Sequence, residues 1–119
     1  MFDVNRITVR KFELLEISGK LVTAEAYKLE DEIDKILAES SAINFIFDLR
    51  NLEYCSSYGL RIFIKVKKDL GIYDGVVILF RPGESFMKLL EIAGLEDYFY
   101  IKNDWNNIID LLADKSINL

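Results

Sequence analysis

The chain has 119 residues, of which 51% are hydrophobic and 29% charged, and these values predict one folded domain with a hydrophobic core. Its formal net charge of −5 argues against sequence-independent binding to nucleic acid, which requires a basic surface. Histidine is absent and there is one cysteine, which excludes an intramolecular disulfide, a zinc site of several histidines and cysteines, and a histidine-dependent catalytic triad. Since the sequence also lacks a glycine-rich phosphate loop, we expect no cofactor and no metal ion.

The beginning of the chain gives no sign of a targeting segment. Residues 1–10 alternate polar and apolar side chains and lack the hydrophobic stretch of a signal peptide. No apolar run approaches the roughly 20 residues that a membrane helix needs. The expectation is a single domain over residues 1–119, located in the cytoplasm without direct insertion into a membrane, whose tail over 114–119 frays.

The N-terminal part of the chain predicts two strands and a helix. Residues 6–11 and 12–18 alternate apolar with polar side chains, as strands with one buried face do, and Gly19 ends the second strand. Thr23 is the expected N-cap of a helix over 24–39, because its hydroxyl can accept a hydrogen bond from an unpaired backbone N–H. One apolar stripe follows that helix and consists of Ala26, Leu29, Ile33, Ile36 and Leu37.

The centre of the chain predicts a buried strand, a connector and a second helix. Residues 43–49 form an apolar run typical of an interior strand, and residues 50–55 are interpreted as a short connector. Ser56 and Ser57 begin the helix, where a serine can cap the backbone or carry a phosphate that the helix dipole favours. Glycine inside a helix costs up to about 1 kcal/mol relative to alanine, so Gly59 indicates close packing against the sheet or a partner.

The C-terminal part continues the alternation of strands and helices. Residues 76–80 and 99–102 are the predicted strands, and helices follow each of them, the last over 105–113 behind a cap at Asn103 or Asp104. This order predicts an α/β domain with a mixed sheet of about four or five strands and helices packed mainly on one face. The apolar residues expected to face inward from these two helices are Phe86, Leu89, Leu90, Ile92, Ile108, Ile109, Leu111 and Leu112.

Two further residues are interpreted as structural. Cys55 has apolar neighbours and no base in view, so we predict a small buried residue rather than a nucleophile. Asp48 ends the central strand, and we expect its carboxylate to accept hydrogen bonds from backbone N–H groups of the connector.

Three short motifs occur in order along almost the whole chain. They are a strand ending in glycine before an amphipathic helix, a buried strand ending in Asp-Leu before a serine-glycine helix start, and a leucine-rich helix running into Gly-Leu. In this sequence they read Gly19-Lys20-Leu21 with Thr23-Ala24-Glu25, then Asp48-Leu49, Leu52 and Ser57-Tyr58-Gly59-Leu60, then Leu89-Leu90-Glu91-Ile92-Ala93-Gly94-Leu95 with Tyr98 and Phe99. Together and at these separations, they resemble the STAS domain family, the fold of bacterial anti-sigma-factor antagonists.

The resemblance implies a regulatory binding module rather than an enzyme. Antagonists of this family act in transcription regulation by partner switching, because they bind a kinase-like anti-sigma factor and release its sigma factor. The kinase inactivates them by phosphorylating a serine at the start of the second helix, and the matching position here is Ser57. The resemblance then implies a partner surface that comprises Val22, Thr23, Ser56, Ser57, Tyr58, Gly59, Leu60 and Arg61.

The sequence departs from the family at two positions of that surface. Ser56 stands where the family usually has an aspartate, and Val22 stands where an acidic residue is common. Ser57 could be only a helix cap, or Ser56 could be the cap with Ser57 in the first turn of the helix. Ser56 is a second candidate for the phosphate. The alternative function is a STAS subunit of a transport or stress-signalling complex that is never phosphorylated, with another regulatory protein as its partner.

Overall fold

Six strands form one mixed sheet in the computed structural model, which describes residues 1–9, 12–39 and 44–115. Along the sheet the order is β1-β2-β3-β5-β6, and β4 pairs with the far end of β2. β1 runs antiparallel to β2, whereas the other pairs are parallel. The strands are β1 (Asp3–Val9), β2 (Phe12–Leu21), β3 (Asn44–Asp48), β4 (Leu52–Cys55), β5 (Val77–Phe80) and β6 (Tyr100–Lys102).

Three of the four helices in the described ranges cover one face of the sheet, and the last covers the other. Buried side chains of α1, α2 and α3 share one core with alternate residues of β2, β3 and β5. Those of α4 pack with the intervening residues in a second, smaller core. The predicted α/β class, with helices mainly on one face, is confirmed. The helices are α1 (Thr23–Glu39), α2 (Ser57–Gly71), α3 (Glu84–Ile92) and α4 (Trp105–Asp114).

The central strand β3 is buried along its whole length because both of its faces are covered. Phe45 and Phe47 point into the larger core, and Ile46 between them points into the smaller one. The Phe47 ring meets the Phe63 ring of α2 nearly edge-on, with their centroids 5.0 Å apart. This aromatic contact fixes α2 against the middle of the sheet.

The interpretation of residues 50–55 as a connector was wrong in part, because Leu52–Cys55 is strand β4. Glu53 and Tyr54 are both exposed, so the segment lacks the apolar alternation that identifies a strand from sequence. The sheet therefore has six strands rather than four or five. The role predicted for Asp48 is confirmed, since one carboxylate oxygen accepts from the Arg50 N–H at 3.1 Å.

Several element boundaries and orientations also differ from the predictions. The Ala26 N–H donates to the Val22 carbonyl at 2.8 Å, so α1 begins at Thr23 and this residue is its first member rather than its N-cap. Ile92 is 86% exposed, because it lies two positions after the buried Leu90 and therefore points to the opposite side of α3. Ile109 is also exposed. The part of the first strand predicted at residues 10 and 11, the beginning of the central strand at 43 and the tail over 116–119 lie outside the described residues.

The start of α2 lies unusually close to the end of β2, and Gly59 makes this contact possible. A Cβ atom at Gly59 would lie 2.8 Å from Leu21 Cγ, 2.9 Å from the Leu21 carbonyl oxygen and 3.0 Å from Cys55 Sγ. The backbone oxygen cannot move away by a rotamer change, because it also accepts the Ser56 N–H at 3.0 Å. The predicted close approach to the sheet is therefore present at Gly59.

We predict that Gly59→Ala destabilises the protein by about 1–3 kcal/mol, because the added methyl forces α2 away from Leu21. Alanine is the better helix former by about 1 kcal/mol, so only a steric clash produces a loss at this position. Gly71→Ala is the matched control, since no atom lies within 4 Å of its added Cβ. Urea unfolding should show a lower free energy of unfolding for Gly59→Ala alone, and equal values for both variants would contradict the close contact.

Candidate functional site

Two neighbouring strand ends bring the predicted surface residues together. β2 and β4 run parallel, with Leu21 opposite Cys55, so the segments that follow them leave the sheet side by side. Val22 and Thr23 follow the first strand, and both are exposed. Ser56, which follows the second, donates its N–H to the Leu21 carbonyl. The surface predicted from distant parts of the sequence is thus one continuous region.

The two serines have different structural positions at the start of α2. Ser56 is the N-cap, and its Oγ accepts the Gly59 N–H at 3.0 Å while its carbonyl accepts the Leu60 N–H. Ser57 is the first residue of the helix and is exposed. Its hydroxyl forms no hydrogen bond within the described ranges. Of the two alternatives left by the sequence, the structure favours Ser56 as the cap, and the Ser57 hydroxyl faces solvent.

Gly59 and Leu60 lie beneath this surface. Gly59 is buried and Leu60 is only 3% exposed, so both residues hold α2 on the sheet. Ser56 and Tyr58 are partly exposed, and Arg61 is exposed. The part of the predicted set that another protein could touch directly is therefore Val22, Thr23, Ser56, Ser57, Tyr58 and Arg61.

Tyr58 forms an aromatic contact with Tyr27 of α1, and we call these two residues the tyrosine pair. Their hydroxyl oxygens are 2.7 Å apart, and the rings meet nearly edge-on with centroids 5.6 Å apart. The hydrogen bond with Tyr27 is the main reason why the pKa of Tyr58 is raised. Arg61 lies over the Tyr58 ring, with Cζ 5.5 Å from the ring centroid.

Sequence reasoning did not identify Tyr27 as a member of this region. Tyr27 is 52% exposed on α1 and contacts Tyr58. The available signal was its position outside the apolar stripe of its helix, since a large ring there is not needed for the core.

A groove of about 440 Å³ lies between α1 and α2, next to the tyrosine pair. Lys65 of α2 and Glu30 of α1 form an ion pair across it at 2.7 Å. The hydrogen bond to Glu30 raises the pKa of Lys65. The groove is open, and its charged side chains largely neutralise one another. It therefore lacks the enclosure typical of a small-molecule site.

Cys55 is a buried packing residue, as the sequence predicted. Desolvation raises the pKa of its thiol to about 12, which leaves almost no thiolate at neutral pH. Its Sγ lies 3.3 Å from the Ser56 carbonyl oxygen. The side chain therefore supports the Ser56–Gly59 turn from below and lacks the reactivity of a nucleophile.

The described part of the chain offers no metal-binding group of three or more histidine, cysteine, aspartate or glutamate side chains. In the same ranges, every helix is too short or too polar to cross a bilayer. Asp48 is a buried carboxylate at the end of β3, and its second oxygen forms an ion pair with Arg81 at 2.6 Å. This ion pair serves the fold.

The serine positions generate a stability prediction. Ser56→Ala removes the side-chain acceptor of the Gly59 N–H, and loss of an N-cap costs about 1 kcal/mol. Ser57→Ala removes a hydroxyl that faces solvent and should change stability by less than about 0.5 kcal/mol. Urea unfolding of both variants measures the difference, and a larger loss for Ser57→Ala would overturn the assignment of the cap.

Comparisons with known proteins place the chain in a family. The model of the STAS domain matches residues 6–108. An anti-sigma-B factor antagonist of Listeria monocytogenes is 28% identical over 87 residues, which cover 73% of this chain and 75% of the relative. Solved structures of antagonists are similar as well.

A structure of a putative anti-sigma factor antagonist from Thermotoga maritima matches this chain with a TM-score of 0.85 at 16% identity. The match covers 92% of this chain and 94% of the Thermotoga chain. The anti-sigma factor antagonist SpoIIAA in its unphosphorylated form has a TM-score of 0.78 at 16% identity, over 100% of both chains. SpoIIAA is also known in a phosphorylated form, with a TM-score of 0.70 at 16% identity over 93% of this chain and 99% of that one. At these identities the structures show a shared fold. Since the family match spans residues 6–108, the chain belongs to the STAS domain family.

Proposed function

We propose that this protein is an anti-sigma-factor antagonist that works by partner switching. It is a protein-binding module, not an enzyme, and its partner is a kinase-like anti-sigma factor. Phosphorylation of Ser57 ends the interaction. The observation that carries this proposal is the position of Ser57, whose hydroxyl is exposed at the first residue of α2 while Ser56 caps the helix.

The start of α2 can accept a phosphate without a change of fold. A phosphoserine at Ser57 would carry a charge of about −1.5 to −2 at neutral pH, and the helix N-terminus favours negative charge. Ser57 is exposed and its hydroxyl is not the cap of the helix, so its modification leaves the Ser56 cap and the Gly59–Leu21 contact in place. The switch then consists of a local change in charge at a surface that is otherwise unaltered.

The exposed residues around Ser57 have the composition of a protein interface. Val22 and Tyr27 each expose more than a third of their surface, and aromatic side chains often anchor interfaces. Ser57 lies at the end of the two paired strands, next to Tyr58, which contacts Tyr27. A phosphate introduced there would repel an acidic group of the partner, and placing like charges next to each other costs several kcal/mol. Binding would also require desolvation of the phosphate.

The relatives support this assignment at the level of the family. The Listeria protein is named an anti-sigma-B factor antagonist, and SpoIIAA has been solved in both unphosphorylated and phosphorylated forms. A protein of this fold is therefore known both with and without a phosphate.

A second candidate function is a STAS subunit that is never phosphorylated, in a transport or stress-signalling complex. The observation that favours it is the surroundings of Ser57. Ser56 replaces the aspartate common in the family, and the Tyr58 side chain beside Ser57 is bound to Tyr27 and lies under Arg61. A kinase would therefore meet a serine in place of the aspartate on one side of Ser57 and a fixed tyrosine ring on the other. The same surface would then bind its partner constitutively.

We predict that a Ser57→Glu bait loses its partner. Affinity capture from native lysate with the wild-type protein should retain a kinase-like anti-sigma factor, and Ser57→Glu should retain at least about tenfold less of it, because the added charge lies at the contact surface. Ser85→Glu is the matched control, since Ser85 is also exposed in the first turn of a helix, α3, and its variant should behave as wild type.

The other outcomes separate the two functions. If all three baits retain the same transport or scaffold proteins and no kinase-like protein, the second function is correct. If Ser57→Glu and the wild type retain equal amounts of a kinase-like anti-sigma factor, charge at Ser57 is not the switch. Circular dichroism of each bait establishes that the substitutions leave the fold intact.

A further inference from the structure

We propose that Arg61 is the intramolecular counter-ion of phosphorylated Ser57, so that phosphorylation withdraws a cation from the binding surface as well as adding an anion. This inference rests on the proposed function, because it describes the state that follows modification of Ser57. It assigns to Arg61 a regulatory role in addition to its place on the partner surface.

The helix geometry places the two side chains on the same side of α2. Ser57 and Arg61 are four positions apart, which is about one turn, and residues at this spacing are neighbours on a helix surface. Helical side chains lean toward the N-terminus of their helix. Arg61 follows this rule, since its Cζ lies 5.5 Å from the centroid of the Tyr58 ring, in the preceding turn. Its guanidinium is thus directed toward the end of the helix where Ser57 lies.

Arg61 also has no carboxylate partner among the described residues. Lys65, one turn further along α2, forms an ion pair with Glu30 at 2.7 Å. Arg61 is exposed, and its described contact is the face of the Tyr58 ring. A cation–π contact at an exposed site is weak, whereas a guanidinium forms a charge-assisted bond to a phosphate that can involve two oxygens at once. The guanidinium would therefore leave the Tyr58 ring and bind the phosphate.

A guanidinium suits this exchange better than an ammonium would. Its planar array of N–H donors can bind two phosphate oxygens at once, and it remains charged at every physiological pH. The exchange would uncover the Tyr58 ring and leave the tyrosine pair in place, because its hydrogen bond joins α1 and α2 independently of Arg61. The surface thus loses the free charge of Arg61 at the moment when it gains a phosphate.

The test uses protein in which phosphoserine is inserted at position 57 during synthesis, so that no kinase is needed. Phosphorus NMR then measures the second pKa of the phosphate, which is about 6 in an unperturbed phosphoserine. In the wild-type background, pairing with Arg61 should make the phosphate titrate about 0.5 pH units lower than in the Arg61→Gln variant. Arg61→Lys should give an intermediate value, and Lys65→Gln should match the wild type.

The Arg61 side chain provides a second readout that a general change of the helix would not mimic. Its Nε–H resonance in a proton–nitrogen spectrum should shift with the same midpoint as the phosphate titration. Equal phosphate pKa values in the wild type and Arg61→Gln, or an Arg61 signal that does not follow the titration, would overturn the proposal. Arg61 is exposed, so these variants are expected to fold, and a thermal melt checks this.

Failure of this inference can be distinguished from failure of the proposed function. The NMR experiment reports only on the pairing of Arg61 with a phosphate that is already present. The capture experiment with Ser57→Glu reports whether charge at that position removes the partner. A negative result in either experiment leaves the other result unchanged.

Discussion

The contact between Gly59 and the end of β2 is the constraint on which the rest of the site depends. With no Cβ at Gly59, the first turn of α2 approaches Leu21 and Cys55 to distances that a side chain would not allow. This approach lets the Ser56 N–H bond to the Leu21 carbonyl, and it fixes the direction in which α2 leaves the sheet. The exposed residues that α2 contributes to the surface, Ser57, Tyr58 and Arg61, take their positions from that direction.

One consequence is a division of roles between two adjacent serines. Because the backbone of Ser56 is held by β2, its side chain turns into the helix and caps the Gly59 N–H. Ser57 then has to be the first helical residue, with its hydroxyl toward solvent. The same fixed position brings Tyr58 against α1 and directs Arg61 back over the ring. A rigid cap beside a free hydroxyl is a suitable arrangement for a chemical switch, since the modification changes charge and leaves packing unaltered.

The sequence predicted the features that depend on local chemistry. Gly59 in a helix indicated close packing, the buried run through Phe45 and Phe47 indicated an interior strand, and the resemblance implied Ser57 as the modified position. It missed β4, because a short strand with an exposed Glu53 and Tyr54 carries no periodic pattern. It also missed Tyr27 as a neighbour of Tyr58, since that contact joins residues 31 positions apart and depends on how α1 and α2 pack. Such side-chain pairs are determined by tertiary geometry.

The measurement that tests the account most directly is phosphate mapping after reaction with the captured partner and magnesium ATP. Peptide mass spectrometry of the wild-type protein should place one phosphate on Ser57 and none on Ser56, because the Ser56 hydroxyl is the helix cap. The Ser56→Ala variant should still be modified, and Ser57→Ala should not. Phosphate on Ser56 alone, or an unmodified protein in the presence of a partner active on another substrate, would contradict the central claim that Ser57 is the switch.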